Sequence, residues 1–448
     1  MWAVEKDPAL RSDFCNLTIL DRRPDDDRLR ETMHRALDAI PRLRQRVIGA
    51  PMRIVPPEFA DDPTFDVDAH VRILAVPAPG DDRALLDLCG ALAERSLDRA
   101  RPLWEFTLIE GLSDGRAALL QKIHHTITDG VGGLKLSIAL VDFERDPESK
   151  APDETETEPA TATTPLSATR DAVVDAASRS VDAVRRTIGT AGHVVVHPSE
   201  VPGRAADAAR LLTSIQRQAL VTDAARSDVT TDRSLRRRFE TVELPFEPLR
   251  AVASALGGSV NDAFVTGLAS AFGRYHERLG STVDELRLAM PINTRRRGDR
   301  STTNSFVPAR VLVPIQPAHD LHTLFGDVHE RLQTAKRETA VGAAEGLAGL
   351  IAGLPTSVLV AMTRTQTRTI DFGASNLRGS PVPLYLAGSR IEASYPFGPR
   401  TGCPLTVTML SYGDQVHVGL NIDPAAIVDV ATFMDDVHDA YADLCAVT

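Results

Sequence analysis

Cysteine is scarce in this chain, and the few cysteines lie far apart. Among 448 residues there are four, and none forms a C-x-x-C pair: Cys15, Cys89, Cys403 and Cys445. Disulfide-stapled secreted domains and zinc ribbons carry closer, paired cysteines. The sequence therefore predicts buried thiols in a reducing compartment, and we expect a cytoplasmic protein.

Long apolar runs are also missing. No stretch of about 18 apolar residues occurs, and the opening residues, MWAVEKDPALRSDF, hold no apolar signal-peptide core. We therefore expect neither a spanning helix nor a secretion signal, so that any membrane contact would be peripheral. The net charge of −11 disfavours nucleic acid as a partner, because nucleic-acid binding needs a basic surface.

Signatures of several enzyme classes are absent as well. The chain has no G-x-S-x-G turn, no phosphate-binding G-x-x-x-x-G-K-[ST] loop, and no G-x-G-x-x-G after a strand. A covalent serine mechanism and nucleotide hydrolysis therefore lack their usual residues.

The composition is that of a globular protein, with 43% hydrophobic and 25% charged residues, and the length suits two or three domains. Alternating strand and helix patterns predict an N-terminal domain over 1–145 and a C-terminal domain over 205–448. Between them, 146–204 is predicted to be a linker or crossover segment, since its first part is rich in Pro, Thr and acidic residues. An apolar stripe over 173–188 predicts a helix that packs on the protein or lies on a membrane surface.

The stretch QKIHHTITDG, residues 121–130, holds the residues most suited to chemistry. Two apolar runs separated by Ser-Asp-Gly predict a hairpin that carries His124 and His125 to the end of a strand. Asp129 follows at a spacing that suits a short loop, and Gly130 leaves space for a substrate to approach the backbone. A histidine with a fixed ring and one free nitrogen can remove a proton from a hydroxyl or a thiol.

Two other interpretations of this stretch stay open from the residues alone. Asp-Gly is a common turn dipeptide, so the histidines could belong to an ordinary turn. A metal site would need three or four ligands, and no H-E-x-x-H motif or cysteine pair accompanies the histidines.

At these residues the chain resembles a known family. HHTITDG matches the HHxxxDG signature of the CoA-dependent acyltransferase superfamily, and residues 96–130 resemble the bacterial wax ester synthase/diacylglycerol acyltransferase family almost throughout. Further family elements follow in order along the chain: Pro102, Leu103 and Trp104; Asn261 and Asp262; Arg295 in PINTR; and a late PLYLAG segment.

The chain departs from that family at two places. Where the family has Gly-Asn, it has Thr303 and Asn304, and where the family has Asn-Val-Pro-Gly-Pro, it has NLRGS over 376–380. Arg378 and Ser380 stand in place of prolines, which predicts a less rigid loop. Both changes lie where the family's acyl or acceptor pocket is expected, so they bear on the substrate more than on the reaction.

The resemblance implies an α/β (α+β) fold of two chloramphenicol-acetyltransferase-like domains, each a mixed sheet with flanking helices, with an active-site channel at their interface. The implied activity is transfer of a long-chain acyl group from acyl-CoA, which is a substrate rather than a cofactor, to diacylglycerol or a fatty alcohol. The alternatives are another acceptor, such as a sugar, a polyketide or another lipid alcohol, and a non-catalytic lipid-binding or lipid-droplet protein. The implied location is the cytoplasm, with peripheral attachment to the inner membrane or to lipid droplets.

The family also implies roles for individual residues. His125 would be the general base that removes the acceptor's proton, and His124 would support it or contact the substrate. Asp129 would be structural and pair with an arginine. Arg295 is the candidate for that partner, and its alternative is an exposed surface position.

The remaining candidates each carry two interpretations. Asn261 would donate to the thioester oxyanion or cap a helix, and Trp104 would line a tunnel or belong to the core. The run RRRGDR, residues 295–300, would bind the CoA phosphates or form a solvated loop. Further residues of the matched elements would bind substrate or support the site: Gly130, Asp262 and Asn304.

Overall fold

The computed structural model describes residues 2, 4–49, 57–127, 136, 138–147, 225–293, 306–341 and 356–447, and structural statements concern these ranges. Several sequence predictions fall outside them. They are the apolar stripe at 173–188, the basic run at 295–300, and four candidate site residues: Asp129, Gly130, Arg295 and Asn304.

The described ranges contain strands and helices of both halves of the chain. The strands are β1 Asp13–Leu20, β2 Gln45–Ile48, β3 Glu58–Asp61, β4 Val71–Ala75, β5 Trp104–Glu110, β6 Ala117–His124, β7 Arg238–Pro245, β8 Glu285–Asn293, β9 Phe306–Pro314, β10 Phe372–Arg378, β11 Tyr385–Leu386, β12 Ser389–Phe397, β13 Leu405–Tyr412 and β14 Gln415–Ile422. The helices are α1 Asp26–Ala39, α2 Asp82–Glu94, α3 Phe246–Ala255, α4 Val260–Arg278, α5 Leu321–Val341, α6 Thr356–Arg368 and α7 Val430–Cys445. No helix in these ranges is both long and apolar enough to cross a bilayer.

All described strands except β2 and β3 form two six-stranded sheets, and each sheet contains both parallel and antiparallel neighbours. The first has the order β11-β12-β1-β6-β5-β4, and the second has the order β7-β14-β13-β10-β8-β9. In the first sheet β4 runs parallel to β5, whereas β5, β6 and β1 are antiparallel neighbours. The predicted mixed α/β architecture of two units is confirmed, and so is the predicted hairpin of β5 and β6.

A strand from late in the chain belongs to the first sheet. β12 pairs antiparallel with β1, so that Cys15 lies opposite Phe397. The sequence predicts a strand in this region but does not say which sheet it joins. The domain boundaries at 145 and 205 lie beside or within undescribed residues and stay a prediction.

The two sheets are joined by direct contacts between β7, β12 and the start of β1. The rings of Phe239 and Phe397 stack with centroids 3.9 Å apart and planes 6° apart. Arg237 pairs with buried Asp13 through Nη1 and Oδ2 at 3.2 Å. A Cβ at Gly90 of α2 would lie 2.8 Å from the Arg237 carbonyl oxygen, so this glycine permits the close approach of α2 to β7.

The NLRGS segment differs from its prediction. We expected a loop over 376–380, but residues 376–378 form the end of β10 and pair in parallel with β13, Arg378 lying opposite Ser411. The expectation was wrong because arginine keeps the backbone N–H that a proline lacks, which allows the strand to continue.

Candidate active site

The two histidines lie where β6 ends beside the start of β1. His124 is the last residue of β6 and lies opposite Asp13 in the ladder. His125 is one residue further, and its backbone N–H donates to the carbonyl oxygen of Ser12 at 3.3 Å. The sheet therefore fixes the backbone at both histidines, and the predicted position at a strand end is confirmed.

The imidazole of His125 is partly buried and has no hydrogen-bond partner among the described residues. Its ring lies against that of Phe14, with centroids 4.9 Å apart. Burial lowers the pKa of His125 below its usual 6.5, and the neighbouring His124 lowers it further, whereas Glu5 and Asp13 act in the opposite direction. The neutral, proton-accepting form therefore predominates at neutral pH.

The imidazole of His124, by contrast, is buried and has both nitrogens occupied. Its Nδ1 accepts from the backbone N–H of Thr126 at 3.2 Å and lies 2.8 Å from Oγ1 of the same residue. Its Nε2 lies 2.6 Å from Oε2 of Glu5. The network assigns the proton to Nε2, because Nδ1 is an acceptor. No nitrogen of His124 is left for a substrate, which favours the supporting role over substrate contact.

Glu5 is a site residue that the sequence did not indicate. It lies in a short 3₁₀ turn, Val4–Lys6, and is buried. Arg99 also pairs with its Oε2, at 3.2 Å. Burial alone would raise the pKa of Glu5, but hydrogen bonds from His124 and Ser12 outweigh it, so the pKa is lowered and the carboxylate stays charged. No motif links it to residues 119 positions away.

Trp104 belongs to the core in this structure. Its indole is buried in the cluster around β5, and its Nε1–H donates to the carbonyl oxygen of Leu43 at 2.8 Å. The ring stacks on His70 with centroids 4.6 Å apart. Because both its face and its N–H are used by the protein, the core interpretation fits better than the tunnel wall.

Asp262 is buried at the start of α4 and serves that helix. Ser259 is the N-cap, and Asp262 accepts in return from the backbone N–H of Ser259 at 2.8 Å, which completes a capping box. Nδ1 of His329 lies 2.9 Å from the same carboxylate oxygen. These contacts describe a structural role for Asp262.

Asn261 is the second residue of α4 and is not its cap, since Ser259 has that role. Its Nδ2 is buried without a hydrogen-bond partner in the described part of the chain. A buried amide donor without a partner costs free energy, which makes it a candidate to meet a bound group. Among the described residues, no hydrogen bond, ion pair or ring contact joins Asn261 or Asp262 to His124 or His125.

Comparison with known families shows the family to which the chain belongs. Residues 13–264 match the family described as the wax ester synthase/diacylglycerol acyltransferase catalytic domain, and residues 303–444 match the WS/DGAT C-terminal domain. The chain belongs to the wax ester synthase/diacylglycerol acyltransferase family. It is therefore an acyltransferase, as the HHxxxDG signature predicts.

Relatives within the family cover nearly the whole chain. It is 32% identical over 451 residues to a putative diacylglycerol O-acyltransferase of Mycobacterium tuberculosis (strain CDC 1551 / Oshkosh), covering 99% of this chain and 89% of the relative. A probable diacylglycerol O-acyltransferase of the same strain is 28% identical, covering 95% of this chain and 89% of that protein.

Solved structures share the fold of this family member. The wax ester synthase/diacylglycerol acyltransferase from Marinobacter aquaeolei VT8 superposes with a TM-score of 0.65 at 20% identity, covering 99% of this chain and 96% of that one. A variant of the starter condensation domain of rhizomide synthetase, in complex with C8-CoA, superposes with a TM-score of 0.56 at 14% identity, covering 99% and 92%. These likenesses establish the architecture of the acyltransferase.

The described part of this acyltransferase brings together His124, His125 and Glu5, and it holds Asn261 and Asp262 at the start of α4. Among the same residues, no three or more of His, Cys, Asp and Glu are grouped as metal ligands would be. What the arrangement offers chemically is an imidazole that favours its neutral form and whose ring nitrogens have no hydrogen-bond partner among the described residues, beside a second imidazole that is held in one tautomer.

Proposed function

We propose that this acyltransferase moves a long-chain acyl group from acyl-CoA to the hydroxyl of diacylglycerol or of a fatty alcohol, with His125 as general base. The family and the names of the relatives support the substrate class. The observation that carries the role of the base is the His125 imidazole, whose pKa is lowered by burial and which has no protein partner among the described residues.

The proposed reaction proceeds in one complex without an acyl-enzyme. A ring nitrogen of His125 takes the proton of the acceptor hydroxyl while its oxygen attacks the thioester carbonyl carbon. The tetrahedral intermediate then collapses, the C–S bond breaks, and the imidazolium returns the proton to the leaving CoA sulfur. Base catalysis of this kind contributes roughly 10²–10⁴-fold, and holding both substrates together adds an entropic advantage.

The negative oxygen of the tetrahedral intermediate needs a donor. The partnerless Nδ2 of Asn261 supports this residue as the candidate. A long acyl chain would contribute much of the donor's binding, because each buried methylene is worth about 0.8 kcal/mol.

The test of the base compares His125→Ala with a matched histidine elsewhere. Purified protein is incubated with radiolabelled palmitoyl-CoA and either a diacylglycerol or hexadecanol, and the products are separated by thin-layer chromatography. His125→Ala should lower turnover by about 10²-fold or more. His319→Ala is the control, because His319 is an exposed histidine paired only with Glu277. Circular dichroism checks that both variants fold.

Unchanged turnover in folded His125→Ala would rule out the proposed base. Product from neither diacylglycerol nor hexadecanol would reject the proposed acceptors, and the same assay with sugar and other lipid-alcohol acceptors would then identify the substitute. A wild-type protein that forms no product with any acceptor but binds lipid would support the non-catalytic alternative.

Peripheral attachment to a membrane or lipid droplet is part of the proposal, because both proposed acceptors are lipids. The segment that motivates it is the apolar stripe at 173–188, which lies outside the described residues. Co-sedimentation with anionic vesicles should fall when residues 168–190 are deleted. Sedimentation that is unaffected by the deletion would count against this segment as the anchor.

A further inference from the structure

Six arginines line one pocket between the two halves of the chain. The cavity volume of the pocket is about 60 Å³, and the pocket is partly open to solvent. Its arginines come from the segment before β1, the segment before β7, the end of α6 and the loop before β13: Arg11, Arg233, Arg237, Arg364, Arg368 and Arg400. We call this site the arginine pocket.

Acidic side chains do not balance these charges. The lining holds two carboxylates, Glu94 and Asp423. Two more aspartates pair with the arginines from behind, Asp13 with Arg237 at 3.2 Å and Asp7 with Arg364 at 3.5 Å. Positive charge therefore remains in excess in a concave site, where the surrounding protein concentrates its field.

Arg400 forms the buried part of the arginine pocket, and one of its N–H groups has no hydrogen-bond partner among the described residues. It is 7% exposed, its Nη1 pairs with Asp423 Oδ2 at 2.6 Å, and its Nη2 donates to the carbonyl oxygen of Ser234 at 3.0 Å. Its Nε, however, is buried without a hydrogen-bond partner in the described ranges. Burial lowers the pKa of Arg400, its ion pair with Asp423 raises it, and the like charge of Arg237 lowers it, so a bound anion would act in the same direction as Asp423.

Two guanidinium groups at the mouth of the arginine pocket make few contacts with the described residues. Arg368 is exposed at the end of α6 and has no hydrogen bond or ion pair to any described residue. The side chain of Arg364, one turn earlier, is 53% exposed, and its one ion pair among the described residues is the 3.5 Å contact to Asp7. Exposed guanidinium groups with so few contacts to the described residues are available to a ligand.

Part of the wall of the arginine pocket adjoins the segment of β1 that lies beside the histidines. Its wall includes Arg11, which directly precedes the Ser12 carbonyl that holds the backbone of His125. Arg237 pairs with Asp13, which lies opposite His124 in the ladder between β1 and β6. A ligand anchored in the pocket would therefore contact segments that adjoin the two histidines along the chain or in the sheet.

We infer that the arginine pocket binds a phosphate group of a substrate. The planar guanidinium offers paired N–H donors that match phosphate oxygens, which makes arginine the residue best suited to this task. The inference rests on the proposed function, in which CoA brings phosphates to the site. A phosphorylated lipid would present the same chemistry. The sequence predicts phosphate binding at 295–300, a run that lies outside the described residues, and the arginine pocket is a second candidate built from described residues.

The test compares two double variants that remove the same charge. Arg364→Gln/Arg368→Gln removes both positive charges from the mouth of the pocket. Arg250→Gln/Arg390→Gln is the control, because those side chains are 57% and 51% exposed and pair only with Glu247 and Glu392. Isothermal titration calorimetry measures the binding of CoA, 3′-dephospho-CoA and dihexanoylphosphatidate to each.

The pocket variant should bind CoA on the order of tenfold more weakly than the control. A smaller loss for 3′-dephospho-CoA would assign the 3′-phosphate to the pocket. A loss confined to dihexanoylphosphatidate would support a phosphate site whose source is a lipid. Binding of all three probes as tightly as by the control would overturn the inference.

The outcome is independent of the proposed base. His125→Ala should bind CoA like the wild type, since His125 is not part of the pocket. If His125→Ala is inactive while the pocket variant binds CoA normally, the proposed function stands and the inference fails. If the pocket variant loses CoA while His125→Ala stays active, the reverse holds.

Discussion

Nε2 of His124 donates to Oε2 of Glu5 across 2.6 Å and joins residues that are 119 positions apart. The contact ties the end of β6 to the opening 3₁₀ turn of the chain. Arg99 holds the same carboxylate and stacks over the Trp2 ring at 4.3 Å. The result is a chain of contacts that fixes His124, and with it the backbone of His125.

Glu5 should act as a positioning residue. Glu5→Ala leaves the Nε2–H of His124 without its partner, so we expect about 1–3 kcal/mol lower stability and kcat lower by about 100-fold. Glu5→Gln keeps an acceptor oxygen and should recover most of kcat. Because the charge of Glu5 raises the pKa of His125, the Gln variant should also move the acid limb of kcat/KM to lower pH. Identical pH profiles for Gln variant and wild type would contradict this coupling.

The pH dependence of the wild type should report the His125 imidazole. Its pKa lies below 6.5 because burial disfavours the charged ring, so the active neutral form persists at neutral pH. We expect kcat/KM to be level above pH 6.5 and to fall as the pH drops through the lowered pKa. A midpoint at or above 6.5, measured from initial rates, would argue against a buried imidazole as the base.

Variants of Asn261 and Ser259 should distinguish a role in catalysis from a role in capping α4. Asn261→Ala removes a buried donor without a partner, so stability should change by no more than about 0.5 kcal/mol, whereas kcat should fall by about 10²–10³-fold. Ser259→Ala removes the cap of α4 and should cost about 1 kcal/mol with kcat retained. Denaturant unfolding and single-turnover rates measure the two effects. A stability loss in Asn261→Ala with full activity would favour a structural role.

Trp104→Phe tests the core interpretation against the tunnel wall. The variant keeps an aromatic ring but loses the Nε1–H that bonds to Leu43, so we expect a loss of roughly 1 kcal/mol. The preference among acyl-CoA chain lengths should stay the same, because the indole is buried against His70. A change of chain-length preference would instead place this side chain on the acyl path.

Gly90→Ala should loosen the contact between the two halves. The new methyl group would meet the Arg237 carbonyl oxygen at 2.8 Å, and backbone must shift to relieve it, at a cost of about 1–3 kcal/mol. Gly326→Ala is the matched control, since it also lies in a helix but has nothing within 4 Å of its Cβ. That variant should be neutral or more stable by up to about 1 kcal/mol. Equal melting temperatures for both variants would show that the contact is not tight.

Local periodicity predicted some of the long elements of this fold. The apolar spacing of 26–40 predicts α1, and the two runs around Ser-Asp-Gly predict the hairpin of β5 and β6. The short strands β2 and β3 and the helices α3 and α6 were not predicted. β2 and β3 have four residues each, which leaves too few for a period to show.

Residues that meet only through tertiary contacts could not be predicted from the sequence. The motif around His125 was visible because its residues are contiguous, and the structure confirms that the two histidines stand at the end of a strand. Glu5 and the arginine pocket were not visible, since their members come from distant segments that only the folded sheets bring together. The NLRGS segment misled because family loops contain prolines, whereas Arg378 can continue a strand.

Because β12 of the C-terminal half pairs with β1 of the N-terminal half, the two halves of this enzyme cannot be produced or exchanged separately. A fragment that ends before residue 385 would lose the neighbour of β1, and the exposed edge would invite pairing with other chains. Hybrids that exchange N-terminal halves between relatives therefore need to carry residues 385–397 with them. Without that strand, the turn that holds His125 through Ser12 would rest on a β1 that is paired on one side only, with β6.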